Sequence, residues 1–383
     1  MAYFACLFVL LTFSYILGLL ALRRGLNNAR TKRARTADDP SVTIIVCARN
    51  EEENLPQLLP ALARQNYPLD KIEICLVDDR STDRTSALLQ AFVAQRAHAK
   101  YFRIEDTLPN FAPKKRALDC AIRNSSGEII VLTDADGVPG PNWVAEVVHA
   151  FEEETAMVCG YSPYQPRTNS RQKILALEYF SLAAVAAGSI GLGRPLTCTG
   201  SNLAYRRSAF FAITGFADIA HWISGDDDLL LHKVHEQRVG QIKFAGHAAA
   251  QVPVRPPDSW KDFQAQRTRY ASKGRHYKLN VTLALAAVYV LNLLLCGGML
   301  ALCAGKIKIF LIALLCGVIK AGFEFVYLKR AASWFSEQSL LRYFPLAALM
   351  HPFYIVYFST RAQFAGFAWR GEEFAARTEA SGS

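Results

Sequence analysis

Glu128-Ile-Ile-Val-Leu-Thr-Asp-Ala-Asp136 is the stretch on which the fold turns. Ile129 to Leu132 is a short apolar run rich in β-branched residues, the composition of a buried strand, and two carboxylates separated by one residue follow where such a strand would end. The same pattern recurs upstream. Val42-Thr-Ile-Ile-Val-Cys47 runs into Ala48-Arg49-Asn50-Glu51, and Ile72-Glu-Ile-Cys-Leu-Val77 runs into Asp78-Asp79-Arg80-Ser81-Thr82-Asp83. After each comes a turn and a helix-like stretch, residues 54–64, 83–95 and 142–151. Alternation of this kind predicts an α/β class domain with a mostly parallel sheet and helices on both faces. Ligands of such sheets bind beyond the carboxyl ends of the strands, so the polar residues at these exits are the candidate site. Part of the pattern has a plain structural reading, since Asp83 suits a helix N-cap and Asp79 can end a turn. Asp134 and Asp136 are harder to explain that way, because carboxylates so spaced can share a divalent ion that also neutralises phosphate.

Around this segment the chain is too apolar for an ordinary soluble protein: 51% of its 383 residues are hydrophobic and the mean hydropathy is positive. Residues 2–22 form an apolar run of membrane-spanning length with Arg23-Arg24 directly after it. A cleaved signal peptide carries its positive charge before the apolar stretch, so a signal anchor is expected. Runs at 281–303, 307–328 and 343–358 close the chain. The first two predict a transmembrane hairpin; the third contains Pro345, His351 and Pro352 and is open to reading as a kinked span, a re-entrant segment or an interfacial helix. Arg361, Arg370 and Arg377 favour a cytoplasmic tail, against the outside position that four spans would give it. Residues 173–191 are apolar but contain Glu178, and are expected to pack on the domain or the membrane surface. The expected organisation is an anchor at 1–24, a basic linker at 25–40, the α/β domain at 41–278, a transmembrane region at 279–360 and a polar tail at 361–383.

The net charge of +10 is local. Residues 23–35 hold six basic and no acidic side chains, and residues 255–278 hold seven basic against two acidic. Both stretches flank apolar runs, so the charge reads as positive-inside topology and attraction to anionic headgroups, not as nucleic-acid binding. Nine cysteines include no C-x-x-C pair, which leaves them as small core residues of a reducing compartment. An integral cytoplasmic (inner) membrane protein with its α/β domain on the cytoplasmic side is expected.

Four further stretches carry chemistry: Pro113-Lys114-Lys115-Arg-Ala-Leu118-Asp119, Cys198-Thr-Gly200-Ser-Asn202-Leu-Ala-Tyr-Arg-Arg207, Ser224-Gly-Asp226-Asp227-Asp228-Leu229 and Gln266-Arg-Thr-Arg269-Tyr270. With the three strand exits they resemble the family-two inverting glycosyltransferases, which include cellulose, chitin and hyaluronan synthases and many bacterial lipid and polysaccharide glycosyltransferases. The resemblance covers residues 41–278 and implies a GT-A nucleotide-sugar-binding domain. It implies donor binding by Arg49, Asn50, Glu51, Asp79, Lys114, Asp134 and Arg269, with Asp79 near a uracil-type base and Arg269 on the diphosphate. Lys115 competes with Lys114, because Asp119 stands where the family has asparagine. Asp134 and Asp136 match the metal site, for Mg or Mn. Gly200, Asn202, Gln266 and Tyr270 match the acceptor side, Tyr270 standing where the polymer synthases carry tryptophan.

The acidic triplet matches the motif that supplies the general base, which an acceptor hydroxyl needs before it can attack the anomeric carbon opposite the leaving diphosphate. The register is open between Asp227, preferred on the Gly-Asp-Asp form, and Asp226, which fits Glu-Asp-x-Asp-Leu. The expected partners are a nucleotide-sugar, a lipid or saccharide acceptor and the membrane. A nucleotidyltransferase would carry a basic glycine-rich phosphate loop after its first strand, which is missing here, and a membrane scaffold would not need Asp79, Asp134, Asp136, Asp227 and Arg269 together.

Overall fold

Seven strands form one sheet in the computed structural model, which describes residues 2–29, 39–272, 274, 277–364, 366–369 and 372–374. The basic residues 30–35 of the linker, Lys273, Arg275, Arg370 and Arg377 lie outside the described residues. In chain order the sheet holds β1 (Val42–Ala48), β2 (Ile72–Asp79), β3 (Ala99–Ile104), β4 (Ile129–Leu132), β5 (Thr155–Gly160), β6 (Leu203–Arg206) and β7 (Gln241–Ala245). The spatial order is β3-β2-β1-β4-β6-β5-β7. β6 pairs antiparallel with both β4 and β5; the other pairings are parallel. β1, β2 and β4 therefore end on one edge, and antiparallel β6 begins there. Between strands run α2 (Leu55–Ala63), α3 (Thr85–Val93), α4 (Pro113–Arg123) and α5 (Trp143–Val148), and further along the chain α7 (Arg207–Ala212) and α8 (Asp228–Gln237). The β-branched runs of β1, β2 and β4 are buried throughout or nearly so, as strands covered on both faces must be. Their core includes Ile44, Val46, Ile74, Leu76, Val131 and Trp143.

Glu73 straps three neighbours to β2. Its carboxylate accepts from Thr43 Oγ1 of β1 at 2.6 Å and from Ser126 N at 2.9 Å, and pairs with Lys100 Nζ of β3 at 2.6 Å. Burial raises the carboxyl, but these donors outweigh it and hold Glu73 below the usual glutamate range. A depressed folded value means that the stabilisation is complete above the unfolded value of about 4.3 and is lost as pH falls through the folded one. Unfolding midpoints measured from pH 7 downward should therefore fall more steeply below about pH 4.5 for the wild type than for Glu73→Gln.

The chain divides into two compact units, one comprising residues 25–167 and 185–256, the other residues 1–24, 168–184 and 257–383. Residues 168–184 and 257–278, read from sequence inside the catalytic domain, thus group with the apolar helices. The first unit includes the last turn of α1 (Ala2–Asn28) beside the end of α6 (Ser170–Gly191), and the backbones touch there. A Cβ on Gly25 would lie 1.9 Å from Gly188 O, and one on Gly191 would lie 2.0 Å from Gly25 O. Leu26 and Ala29 are buried in the same turn.

The second unit holds α9 (Trp260–Ser272), α10 (Leu279–Cys303), α11 (Ile307–Phe335) and α12 (Phe344–Phe364), with a short strand pair, β8 (Phe367–Trp369) and β9 (Glu372–Phe374). Phe8, Leu291, Leu295, Ala313 and Cys316 form an apolar cluster in it. Ionisable groups inside apolar helices are costly unless paired, and Lys320, Glu324 and Glu178 are paired here. Tyr15 Oη and Lys320 Nζ reach Glu324 Oε1 at 2.6 and 2.7 Å, and His351 Nδ1 lies 3.2 Å from Lys320. The buried Arg267 pairs with Glu178, whose other oxygen accepts from Tyr354 Oη at 2.7 Å.

Among the described residues four helices are long and apolar enough to cross a membrane: Ala5–Asn28, Ser170–Gly191, Leu279–Cys303 and Ile307–Phe335. The element expected at a surface, 173–191, is thus one of the four by length and composition, its lone acid being neutralised by Arg267. The third C-terminal run forms one continuous helix across Pro352.

Candidate active site

The site is built where β1, β2 and β4 end and β6 begins. The exits of β1 and β2 are stitched together. Asn50 and Arg80 both adopt positive φ, +53° and +56°, which turns the chain sharply out of each strand. Asn50 Oδ1 accepts from Thr82 N at 2.9 Å, Asn50 N donates to Ser81 Oγ at 3.1 Å, and Glu51 N donates to Thr85 Oγ1 at 2.7 Å. Glu51 is buried and accepts from Asn54 Nδ2 at 2.6 Å. Asn50 and Glu51 thus act first as braces that set the two loops, with Arg49 half-buried beside them. Asp78 is fully buried, accepting from Ser81 N at 3.0 Å and Arg103 Nη1 at 3.1 Å. Asp79 stands at the end of β2 with Arg80 Nε 2.8 Å away.

Lys114, in the first turn of α4, gathers the rest. Its Nζ lies 2.9 Å from Asp134 Oδ1, just past β4, and 2.9 Å from Asp226 Oδ2, just before α8. Burial alone would lower the ammonium; the Asp134 and Asp226 carboxylates overturn that and hold Lys114 well above the usual lysine range. Gly200 completes the cluster, since a Cβ there would come within 3.2 Å of Asp226 Oδ2 and 3.4 Å of Lys114 Nζ. The thiol of Cys47, close by, is pushed up by burial.

The three adjacent aspartates have separate tasks. Asp228 is buried and accepts from Thr197 Oγ1 at 2.9 Å and Cys198 N at 2.8 Å, which fastens the loop before β6 to α8. Asp227 is the N-cap of α8: Oδ1 accepts from Asp228 N at 2.7 Å, and Oδ2 accepts from Gly200 N at 3.3 Å. Asp226 is the one placed on Lys114. In Asp227, the residue preferred on the Gly-Asp-Asp form, both oxygens are engaged by backbone N–H groups, whereas Asp226 faces the Lys114 ammonium.

Asn202, matched by resemblance to the acceptor side, is buried in the core. Its amide accepts from Trp143 Nε1 at 3.1 Å and donates to Tyr161 O at 3.0 Å and Ala250 O at 2.8 Å, with 1% of the residue exposed. A side chain so committed locks β6 into the core and has no donor left for a sugar. Lys115, the competitor of Lys114, points elsewhere, adjacent helix positions being about 100° apart. Gln266, Arg269 and Tyr270 lie on α9, in the other unit, with Arg269 5.6 Å from the Tyr270 ring centroid.

Asp134 and Asp136 suit a hard divalent cation by donor chemistry. Asp134 is partly exposed, and among the described residues its Oδ2 accepts no hydrogen bond while Oδ1 takes Lys114. Its carbonyl accepts from Gly137 N at 3.0 Å, closing the turn that carries Asp136. Among the described residues no three His, Cys, Asp or Glu side chains are gathered for a metal. Two carboxylates with the remainder from phosphate and water is the usual arrangement for Mg in nucleotide sites.

Comparison with known proteins bears on the family and the fold. The description "Glycosyl transferase family 2" matches residues 43–213, and "Glycosyl transferase family group 2" matches residues 129–360. A probable glycosyltransferase of Bacillus subtilis, YdaM, is 28% identical over 248 residues, 62% of this chain and 56% of that protein. A beta-monoglucosyldiacylglycerol synthase of Synechocystis is 28% identical over 223 residues, 55% of this chain and 44% of that protein. The chain thus spans about half the length of the relatives it matches. Among solved structures, the mannosyltransferase PcManGT of Pyrobaculum calidifontis, in complex with GDP-Man and Mn2+, superposes with a TM-score of 0.53 at 18% identity, covering 92% of this chain and 99% of that one. That likeness speaks for the fold, a GT-A-like sheet. With the group description matching well over half of its length, the chain belongs to glycosyl transferase family 2.

Proposed function

We propose that this protein is a membrane-bound inverting glycosyltransferase that moves a sugar from a nucleoside-diphosphate sugar, uridine-linked, to a hydroxyl of a lipid or saccharide. The observation that carries the reading is the Lys114 bridge, which brings a strand-end carboxylate, Asp134, and a motif carboxylate, Asp226, to one ammonium beside Gly200. Asp226 takes the proton of the acceptor hydroxyl, whose oxygen attacks the anomeric carbon as the bond to the diphosphate breaks on the opposite face. Asp79 lies toward the nucleoside. Lys114 keeps Asp226 and Asp134 apart in charge and fixed in place. Asp134 and Asp136 would hold Mg or Mn, which supplies positive charge to the diphosphate. The four apolar helices and the basic stretches at their flanks favour a cytoplasmic-membrane enzyme with its sheet on the cytoplasmic side, and the glycolipid synthase among its relatives favours a lipid acceptor.

The test is nucleotide release by the detergent-solubilised chain across a panel of UDP- and GDP-sugars with Mn or Mg, lipid extract included. Release from one donor that needs the ion, with Asp134→Ala at least about 100-fold slower, is the expected result. Silence with every donor would sink the reading.

A further inference from the structure

Lys115 stands one residue from the Lys114 bridge and has no exposed surface. Its Nζ donates to three carbonyls, Ile219 at 2.7 Å, Trp222 at 2.6 Å and Ser224 at 2.9 Å. An ammonium has three N–H donors, and here each meets an oxygen of one short loop. The loop holds only a single turn of 3-10 helix, Ala217–Ile219, and runs through Gly225, at φ +89°, into Asp226. A second tie joins the same partners, for Ala112 N, the residue before α4, donates to Ala220 O at 2.7 Å.

We infer that Lys115 is a positioning residue: it moors residues 219–224 to the first turn of α4, so that the loop delivers Asp226 to Lys114. Two consecutive lysines on one helix turn then fix the base twice, Lys115 through the backbone that leads to it and Lys114 through its carboxylate. A salt bridge alone tolerates a wandering loop; a loop held by three carbonyls at its root allows the carboxylate little travel. Misplacement of a reacting group by about 1 Å is enough to lower turnover by about 100-fold. The inference rests on Asp226 being the base of the proposed transfer.

The experiment uses the full chain in detergent, wild type beside Lys115→Met and Lys115→Gln, and reads three quantities: kcat at saturating donor, the Kd of uridine diphosphate, and amide hydrogen exchange by segment. Lys115→Met is expected to lose at least about 30-fold in kcat, to bind uridine diphosphate within about two-fold of wild type, and to exchange faster within residues 217–227 while the sheet strands are unchanged. Lys115→Gln, which keeps two donors, is expected to fall between the two and decides the matter if Lys115→Met does not fold. Wild-type kcat in Lys115→Gln, unchanged exchange in 217–227, or nucleotide binding lost together with strand protection would each overturn the inference. Failure of the wild type to transfer any sugar would instead overturn the proposed function, whereas the exchange pattern tests the mooring by itself.

Discussion

Asp226→Asn is expected to lower kcat by about 100- to 10,000-fold, the contribution of a positioned general base, while uridine diphosphate still binds. Asparagine keeps the size of the side chain and an oxygen for Lys114, so the bridge at 2.9 Å can survive the loss of the proton acceptor. Asp227→Asn separates the two candidates. Asparagine caps helices about as well as aspartate, and the two contacts of Asp227 are with backbone N–H groups of Asp228 and Gly200. If Asp227 only caps α8, this variant loses no more than about ten-fold in kcat. A collapse of turnover in Asp227→Asn with Asp226→Asn nearly active would restore the register first read from the Gly-Asp-Asp form.

The largest stability effect is expected at Asn202. Asn202→Leu removes the partner of three buried groups at once, Trp143 Nε1, Tyr161 O and Ala250 O. Each unsatisfied buried polar group costs about 1–3 kcal/mol, so a destabilisation of about 3 kcal/mol or more should appear as a thermal midpoint lower by roughly 10 °C. A thermal melt of the detergent-solubilised variant checks it. An Asn202→Leu protein that melts with the wild type yet loses sugar transfer would instead place the role of Asn202 on the acceptor side.

The strands that define the fold class were legible because they are buried on both faces and therefore read as continuous β-branched runs: β1, β2 and β4 end within two residues of where the sequence places them. β3 was not seen, and it intervenes between the second and third strands read from sequence. At the sheet edge its Ala-Lys-Tyr-Phe-Arg-Ile is interrupted by two charged residues and offers no continuous β-branched run. β7, Gln241-Ile-Lys-Phe-Ala, lacks one as well, and β5, though buried throughout, has only Thr155 and Val158 as β-branched residues. In the site, the residue types were legible and the division of labour was not. Asp226, Asp227 and Asp228 are equivalent as letters; only the start of α8 decides which carboxylate caps, which fastens and which faces Lys114. The lysine pair is the same case, since helical geometry sends Lys114 to carboxylates and Lys115 to carbonyls. Asn202 matches a recognisable acceptor-side motif, and nothing in the letters reveals that Trp143, far away in sequence, donates to its oxygen.

The contact of Gly25 with Gly188 and Gly191 bears on where the chain can be cut. A water-soluble fragment started at residue 39, after the N-terminal apolar helix, looks natural from hydropathy. It would strip Leu26 and Ala29 from the unit that contains the sheet and leave the glycine face at the end of α6 uncovered. The final turn of the N-terminal helix is a component of that unit as well as the end of a helix long and apolar enough to cross a membrane. A truncation that keeps the turn must begin at or before Gly25.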